Sequence, residues 1–111
     1  MDCALQVLND AIIVQVSGRV DEATWIEFGE TLSGAVKEVH NAKLGTVVID
    51  LSKLDYMSSR GLRVLTVAKR EADESGIAIE LASPNAVMRE ILSISRYDKL
   101  FAVRDNVNSK T

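Results

Sequence analysis

A single cysteine, Cys3, excludes an internal disulfide, and a single histidine, His40, leaves no thiolate and imidazole cluster of the kind zinc takes. The two lie far apart in sequence, so Cys3 has no activating partner and reads as a plain thiol near a strand start. No Ser-His-Asp set can be argued from one histidine at a helix end, and no glycine-rich phosphate loop of Walker or dinucleotide type is present. Enzymatic chemistry is therefore not expected, nor any cofactor. There is no apolar run of about 18 residues and no charged-then-apolar leader, so neither membrane insertion nor export is signalled. The expected location is cytoplasmic. Basic excess is also missing. Thirteen Lys and Arg stand against 16 Asp and Glu, a net charge of −3, which argues against nucleic acid or an anionic membrane as the main partner.

What the chain does have is an ordinary globular composition, 47% hydrophobic and 26% charged over 111 residues, enough for one domain (1–111) with one core. Ala4 to Leu8 and Ala11 to Val16 read as strands. Asn9-Asp10 between them is a short turn signal, so they pair as an antiparallel hairpin. The second run is nearly continuously apolar, as in a strand covered on both faces. Gly18 ends it, and Asp21 is placed to cap a helix from Glu22 to Val39. Along that helix Trp25, Phe28, Leu32, Ala35, Val36 and Val39 share one face. Gly29 and Gly34 each weaken it by roughly 1 kcal/mol relative to alanine, so packing must hold it. His40 falls at its C-terminus, where the helix dipole favours a partly cationic side chain.

Gly45 to Leu51 is a β-branched central strand, and Ser52 to Met57 is a loop. Helical periodicity resumes at Ser58 or Ser59 and runs to Ser75, with Gly76 terminating it. Ile77 to Ala82 is the fourth strand. Ser83-Pro84 supplies an N-cap and a first-turn proline for a helix through Val87, Met88, Ile91 and Leu92. Phe101 to Arg104 is a last strand, and residues 105–111 form a polar tail expected to fray. The order β-β-α-β-α-β-α-β predicts an α/β fold: a mixed sheet of five strands covered by helices, strands 2–5 parallel and strand 1 an antiparallel edge.

Loops after the carboxyl ends of parallel strands gather at one edge, the usual place for function. The richest is Asp50-Leu-Ser-Lys-Leu-Asp-Tyr-Met-Ser-Ser-Arg-Gly-Leu-Arg-Val-Leu65. Ser58 and Ser59 open the following helix, where first-turn amides lack intrahelical partners and the dipole end is positive. A phosphate there would be tolerated, yet it would add about −1.5 to −2 charges to a surface that had displayed only hydroxyls. By spacing alone, a plain serine N-cap worth about 1 kcal/mol is the favoured reading of the pair. Asp50 and Asp55 read most simply as groups that cap or solvate the loop. A receiver domain would need an acidic pair after its first strand to hold magnesium, and the first turn offers only Asp10.

A strand ending in Asp-Leu-Ser, a short connection, and then Met-Ser-Ser-Arg-Gly-Leu-Arg-Val-Leu resembles the signature of STAS domains of the anti-sigma factor antagonist family. Gly18-Arg19-Val20-Asp21 is similar to that family's Gly-x-hydrophobic-Asp, and Tyr97-Asp98-Lys99-Leu100-Phe101 to its closing segment. The likeness covers nearly the whole chain, with the final helix of the family shortened. In the family the loop reads Asp-Ser-Ser/Thr-Gly-Leu, and the serine after the aspartate is phosphorylated by the partner. Aligned on Gly61 and Leu62, that position is Ser59. Ser58 stands where the family has aspartate and is the second choice of acceptor; Arg60 stands where it has a second hydroxyl.

The resemblance implies an anti-anti-sigma factor in a bacterial partner switch. Such a protein binds an anti-sigma factor and serine kinase of GHKL type when unphosphorylated, is released on phosphorylation at Ser59, and is restored by a serine phosphatase. The alternative within the family is an accessory subunit of a lipid or anion transport complex. Partner-binding candidates are Asp21, Ser58, Ser59, Arg60, Arg63 and Val67. Arg60 offers a cation for a phosphate on Ser59 or for an acidic partner group. On the second helix Gly61, Val64, Leu65, Ala68 and Ala72 form the core stripe, with Arg63, Thr66, Arg70 and Glu74 opposite. Val67 lies on or near the polar face between arginines, the expected apolar contact.

Overall fold

A computed structural model describes residues 1–107. The first strand, β1 (Asp2–Leu8), turns through Asn9-Asp10 into β2 (Ala11–Val20), in register from Asp2↔Ser17 to Leu8↔Ala11. Asn9 takes φ 55, a left-handed conformation that asparagine tolerates better than most residues. Then follow α1 (Trp25–Asn41), β3 (Thr46–Met57), α2 (Ser59–Glu74), β4 (Ala78–Ala82), α3 (Ala86–Ser95), the single turn α4 (Tyr97–Leu100) and β5 (Ala102–Arg104). The sheet order is β1-β2-β3-β4-β5. Only the β1–β2 pair is antiparallel, so the expected mixed α/β sheet is what forms.

Three crossovers step the same way along the sheet, and their shared hand puts their helices over one face. There Val14, Val16, Ile49, Leu51 and Leu81 pack with Phe28, Leu32, Leu65, Met88 and Leu92, all fully or nearly fully buried. Each such side chain contributes about 1.5–3 kcal/mol. The opposite face buries a smaller set, Ala11, Ile13, Val48 and Ala82, beneath Leu8 and Val107; among the described residues no helix residue belongs to it. Among the described residues, β2 is thus covered on both faces with helices on one side only. An Arg104–Glu80 ion pair and a Gln15–Asp50 hydrogen bond of 3.3 Å lie on strand positions that alternate with the helix-facing ones.

Several boundaries differ from expectation. Gly18 does not end β2. At φ +91 it sits in a bulged stretch, with register shifts between Gln15 and Ser17 and between Gly18 and Arg19, and the strand continues to Val20. Its partner β3 likewise runs through Ser52 to Met57, which the sequence pattern assigns to a loop. The bulges break the two-residue alternation that marks a strand. Asp21 does not cap α1. The helix starts three residues later than expected, at Trp25, and Thr24 in the N-cap position makes no side-chain cap bond. Asp21 instead closes a turn, its carboxylate accepting from the amide of Ala23 at 3.0 Å and its carbonyl from Thr24 and Trp25.

The Ser83-Pro84 helix start is also displaced. Ser83 takes φ 56, and the N-cap is Asn85, whose side chain accepts from the amide of Met88 at 2.9 Å. Its Nδ2 donates to the carbonyl of Leu54 at 2.7 Å, which ties α3 to the far end of β3. The turn α4 was not foreseen. Arg96, at φ 64, ends α3, and the Tyr97 hydroxyl then meets Thr66 Oγ1 at 2.7 Å. In the tail, Asp105 accepts from Ser83 Oγ and pairs with Arg89, and Val107 packs on the sheet; 108–111 lie outside the described residues.

Candidate functional site

The β3–β4 ladder ends at Asp50↔Ala82, but the β2–β3 ladder goes on to Val20↔Met57. A two-stranded ribbon therefore projects beyond the sheet and delivers both candidate loops to one point. The amide of Ser58 donates to the carbonyl of Val20 at 2.8 Å, fixing the start of α2 against the end of β2. Gly61 makes this approach possible. A Cβ at that position would stand 2.5 Å from Met57 Cγ and 2.7 Å from Val20 Cγ1, closer than side-chain atoms come.

The two serines are placed oppositely. Ser58 is 9% exposed and is the N-cap of α2, its Oγ accepting from the amide of Gly61 at 3.4 Å. Ser59 is the first helical residue and is exposed, with no side-chain hydrogen bond among the described residues. Local sequence explains the split. Serine at the cap satisfies one orphan amide, and the next side chain then points outward over the first turn.

Ser59 opens onto a groove of about 850 Å³ between α1 and α2, lined on one wall by Trp25, Ile26 and Gly29 and on the other by Arg63 and Val67. Gly29 keeps its floor low, since a Cβ there would lie 3.7 Å from the Val64 methyls. Val67 is 45% exposed and Ile26 60% exposed, an apolar pair on facing helices. Val67 is thus on the surface as expected. Ile26 was missed, because it falls off the core-facing stripe of α1; an isoleucine on an otherwise polar face was the only signal.

Arg60 is already engaged. Its Nε lies 2.8 Å from Glu22 Oε2, and its guanidinium stacks over the Trp25 ring, 5.2 Å from the centroid. Trp25, expected on the core face, packs against the core with its body and carries Arg60 on its ring. On the ribbon side Arg19 makes the mirror arrangement, 3.7 Å from Asp21 Oδ2 and 4.5 Å from the Tyr56 centroid. All four charged groups are substantially exposed, so these pairs orient side chains more than they stabilise the fold. Arg63 differs: it is exposed, lines the groove, and has no partner among the described residues.

Of the candidate residues, Ser58, Ser59, Arg60, Arg63 and Val67 therefore come together along the first turns of α2. Asp21 joins them through the ribbon but is taken up in its own turn. Cys3 lies elsewhere, on β1, where burial pushes its thiol above the ordinary range. Asp50 is buried at the end of the β3–β4 ladder, accepting from the amide of Ser52 at 3.0 Å. No helix among the described residues is long and apolar enough to cross a membrane.

Against known proteins, the family model described as STAS domain matches residues 2–110. A Bordetella bronchiseptica protein named as the anti-sigma factor antagonist BtrV is 26% identical over 106 residues, covering 96% of this chain and 88% of that protein. Among solved structures, an anti-sigma factor antagonist from Thermotoga maritima superposes with a TM-score of 0.82 at 17% identity, over 95% of this chain and 87% of the other. The Bacillus cell fate determinant SpoIIAA in its phosphorylated form superposes with a TM-score of 0.66 at 17% identity, over 92% and 90%.

Proposed function

This chain belongs to the STAS domain family, and on that premise we propose that it is an anti-sigma factor antagonist, a binding module and not an enzyme. Unphosphorylated, it holds an anti-sigma factor that is also a serine kinase of GHKL type. Phosphorylation at Ser59 releases it, and a serine phosphatase resets it. The names of its relatives support the role, and one of them, SpoIIAA, exists in a phosphorylated form.

The observation that carries the reading is the contrast between the two hydroxyls. Ser58 Oγ is buried in a cap, whereas Ser59 Oγ is exposed beside an apolar groove with arginines at its rim. In the transfer, Ser59 Oγ attacks the γ-phosphorus of ATP held by the kinase. The new O–P bond forms as the bond to ADP breaks, and the hydroxyl proton passes to a base on the kinase. The product carries about −1.5 to −2 charges where the partner had met a hydroxyl. Ser59, Arg60, Arg63 and Val67 form the contact surface. Ser58 caps α2 behind it, and Asp21 stands at the ribbon end of the same site.

The test is intact-mass and fragment analysis after incubation with ATP and the GHKL-type kinase that the chain retains in a pull-down. One phosphoryl adduct is expected in the wild type and in Ser58→Ala, and none in Ser59→Ala. Undiminished phosphorylation of Ser59→Ala overturns the assignment. Recovery of a transporter ATPase in place of a kinase overturns the regulatory role itself.

A further inference from the structure

Ser59 and Arg63 stand four residues apart on α2 and line the same groove. From this spacing we propose that Arg63, and not the adjacent Arg60, is the residue that holds a phosphate on Ser59. The inference rests on the reading of Ser59 as the modified residue and adds how its modification is read out. Residues at i and i+4 are neighbours on a helix surface, and an anion placed N-terminal to a cation is the favoured orientation. Arg60 sits about 100° further round the helix and is already shared between Glu22 and the Trp25 ring. Its Nε and its ring-facing side are thus already engaged. Arg63 has no such contact among the described residues.

Most of the other charges nearby have partners: Asp21 faces Arg19, Glu22 faces Arg60, and Glu71 accepts from Ser33 Oγ at 3.2 Å, while Glu30 lies exposed on the α1 wall of the groove. Among the described residues, Arg63 is thus the unclaimed cation on the groove wall. Phosphorylation then changes the surface twice: it adds an anion at the mouth of the groove, and it withdraws Arg63 from any acidic group of the partner. The Ser59–Arg63 bridge lies along the α2 wall, on the approach to Val67.

The experiment installs phosphoserine at position 59 during translation by amber-codon incorporation. Failure of a kinase to modify Ser59 and failure of Arg63 to bind the phosphate are then read separately. Phosphorus NMR follows the second ionisation of the phosphoserine, ordinarily at about 6. Pairing favours the dianion, so Arg63→Gln is expected to raise this pKa by about half a unit, while Arg60→Gln leaves it in place. Arg63→Lys should restore most of the shift, which a purely structural role for the side chain would not do. Arg63 is exposed, so the variants should fold alike, which circular dichroism checks. A response to Arg60→Gln alone, equal responses to both glutamine variants, or no response to either overturns the proposal.

Discussion

The carbonyl of Val20 accepts from the amide of Ser58 across 2.8 Å, joining the last residue of β2 to the cap of α2. Two strands that outrun the rest of the sheet are closed by this bond, and the hydroxyl face of α2 is held at their tip.

The close approach behind that bond depends on Gly61. In an ordinary helix position, glycine to alanine gains up to about 1 kcal/mol. At Gly61 the added methyl meets Met57 and Val20, so Gly61→Ala should destabilise the protein by about 1–3 kcal/mol. Gly34, whose Cβ position is open to 4 Å, is the control: Gly34→Ala should gain about 0.5–1 kcal/mol. Urea unfolding of the two variants measures both, and a stabilised Gly61→Ala would mean the ribbon and α2 are further apart than described.

Asn85 has two jobs, capping α3 through the Met88 amide and bonding the Leu54 carbonyl. Asn85→Ala should therefore cost about 2 kcal/mol, more than a simple cap. Ser83→Ala, which loses one exposed bond to the Asp105 carbonyl, should cost less than about 1 kcal/mol. Thermal melts of the two variants give the order, and the reverse order would restore Ser83 as the cap.

Val67 is exposed on the α2 wall of the groove, one turn after Arg63. Val67→Asp should remove partner binding in calorimetry while moving Tm by no more than a few degrees, since exposed substitutions fall within about 0.5 kcal/mol. A large fall in Tm would place Val67 in the core.

Ser59→Asp puts a carboxylate at the first helical position, where an anion is stabilising by about 0.3–1 kcal/mol. The protein should melt at the same temperature or slightly higher, yet bind the anti-sigma partner at least ten-fold more weakly. Unchanged affinity would count against a charge switch. Ser58→Ala should do the opposite, losing about 1 kcal/mol of stability with the cap and leaving Ser59 open to the kinase.

Local pattern determined most of the architecture. The Asn9-Asp10 turn, the β-branched run at residues 45–51 and the 3.6-residue stripes of α1 and α2 are short-range signals, and parallel order with one antiparallel edge follows from them. The Ser58-Ser59 pair at the head of a helix was visible for the same reason. Which serine is buried was not, because that depends on Val20, 38 positions away in sequence, accepting the Ser58 amide. Nor could the sequence reveal that β2 and β3 run on past Gly18 and Leu51, since bulges erase the alternation by which strands are read. The groove is wholly a tertiary product. Ile26 and Val67 become neighbours across it only when two crossovers of the same hand lay α1 beside α2, and it is packing that engages Arg60 with Glu22 and Trp25 while Arg63 has no partner among the described residues. Sequence set which residues could carry the switch at Ser59, and packing decided which of them face it.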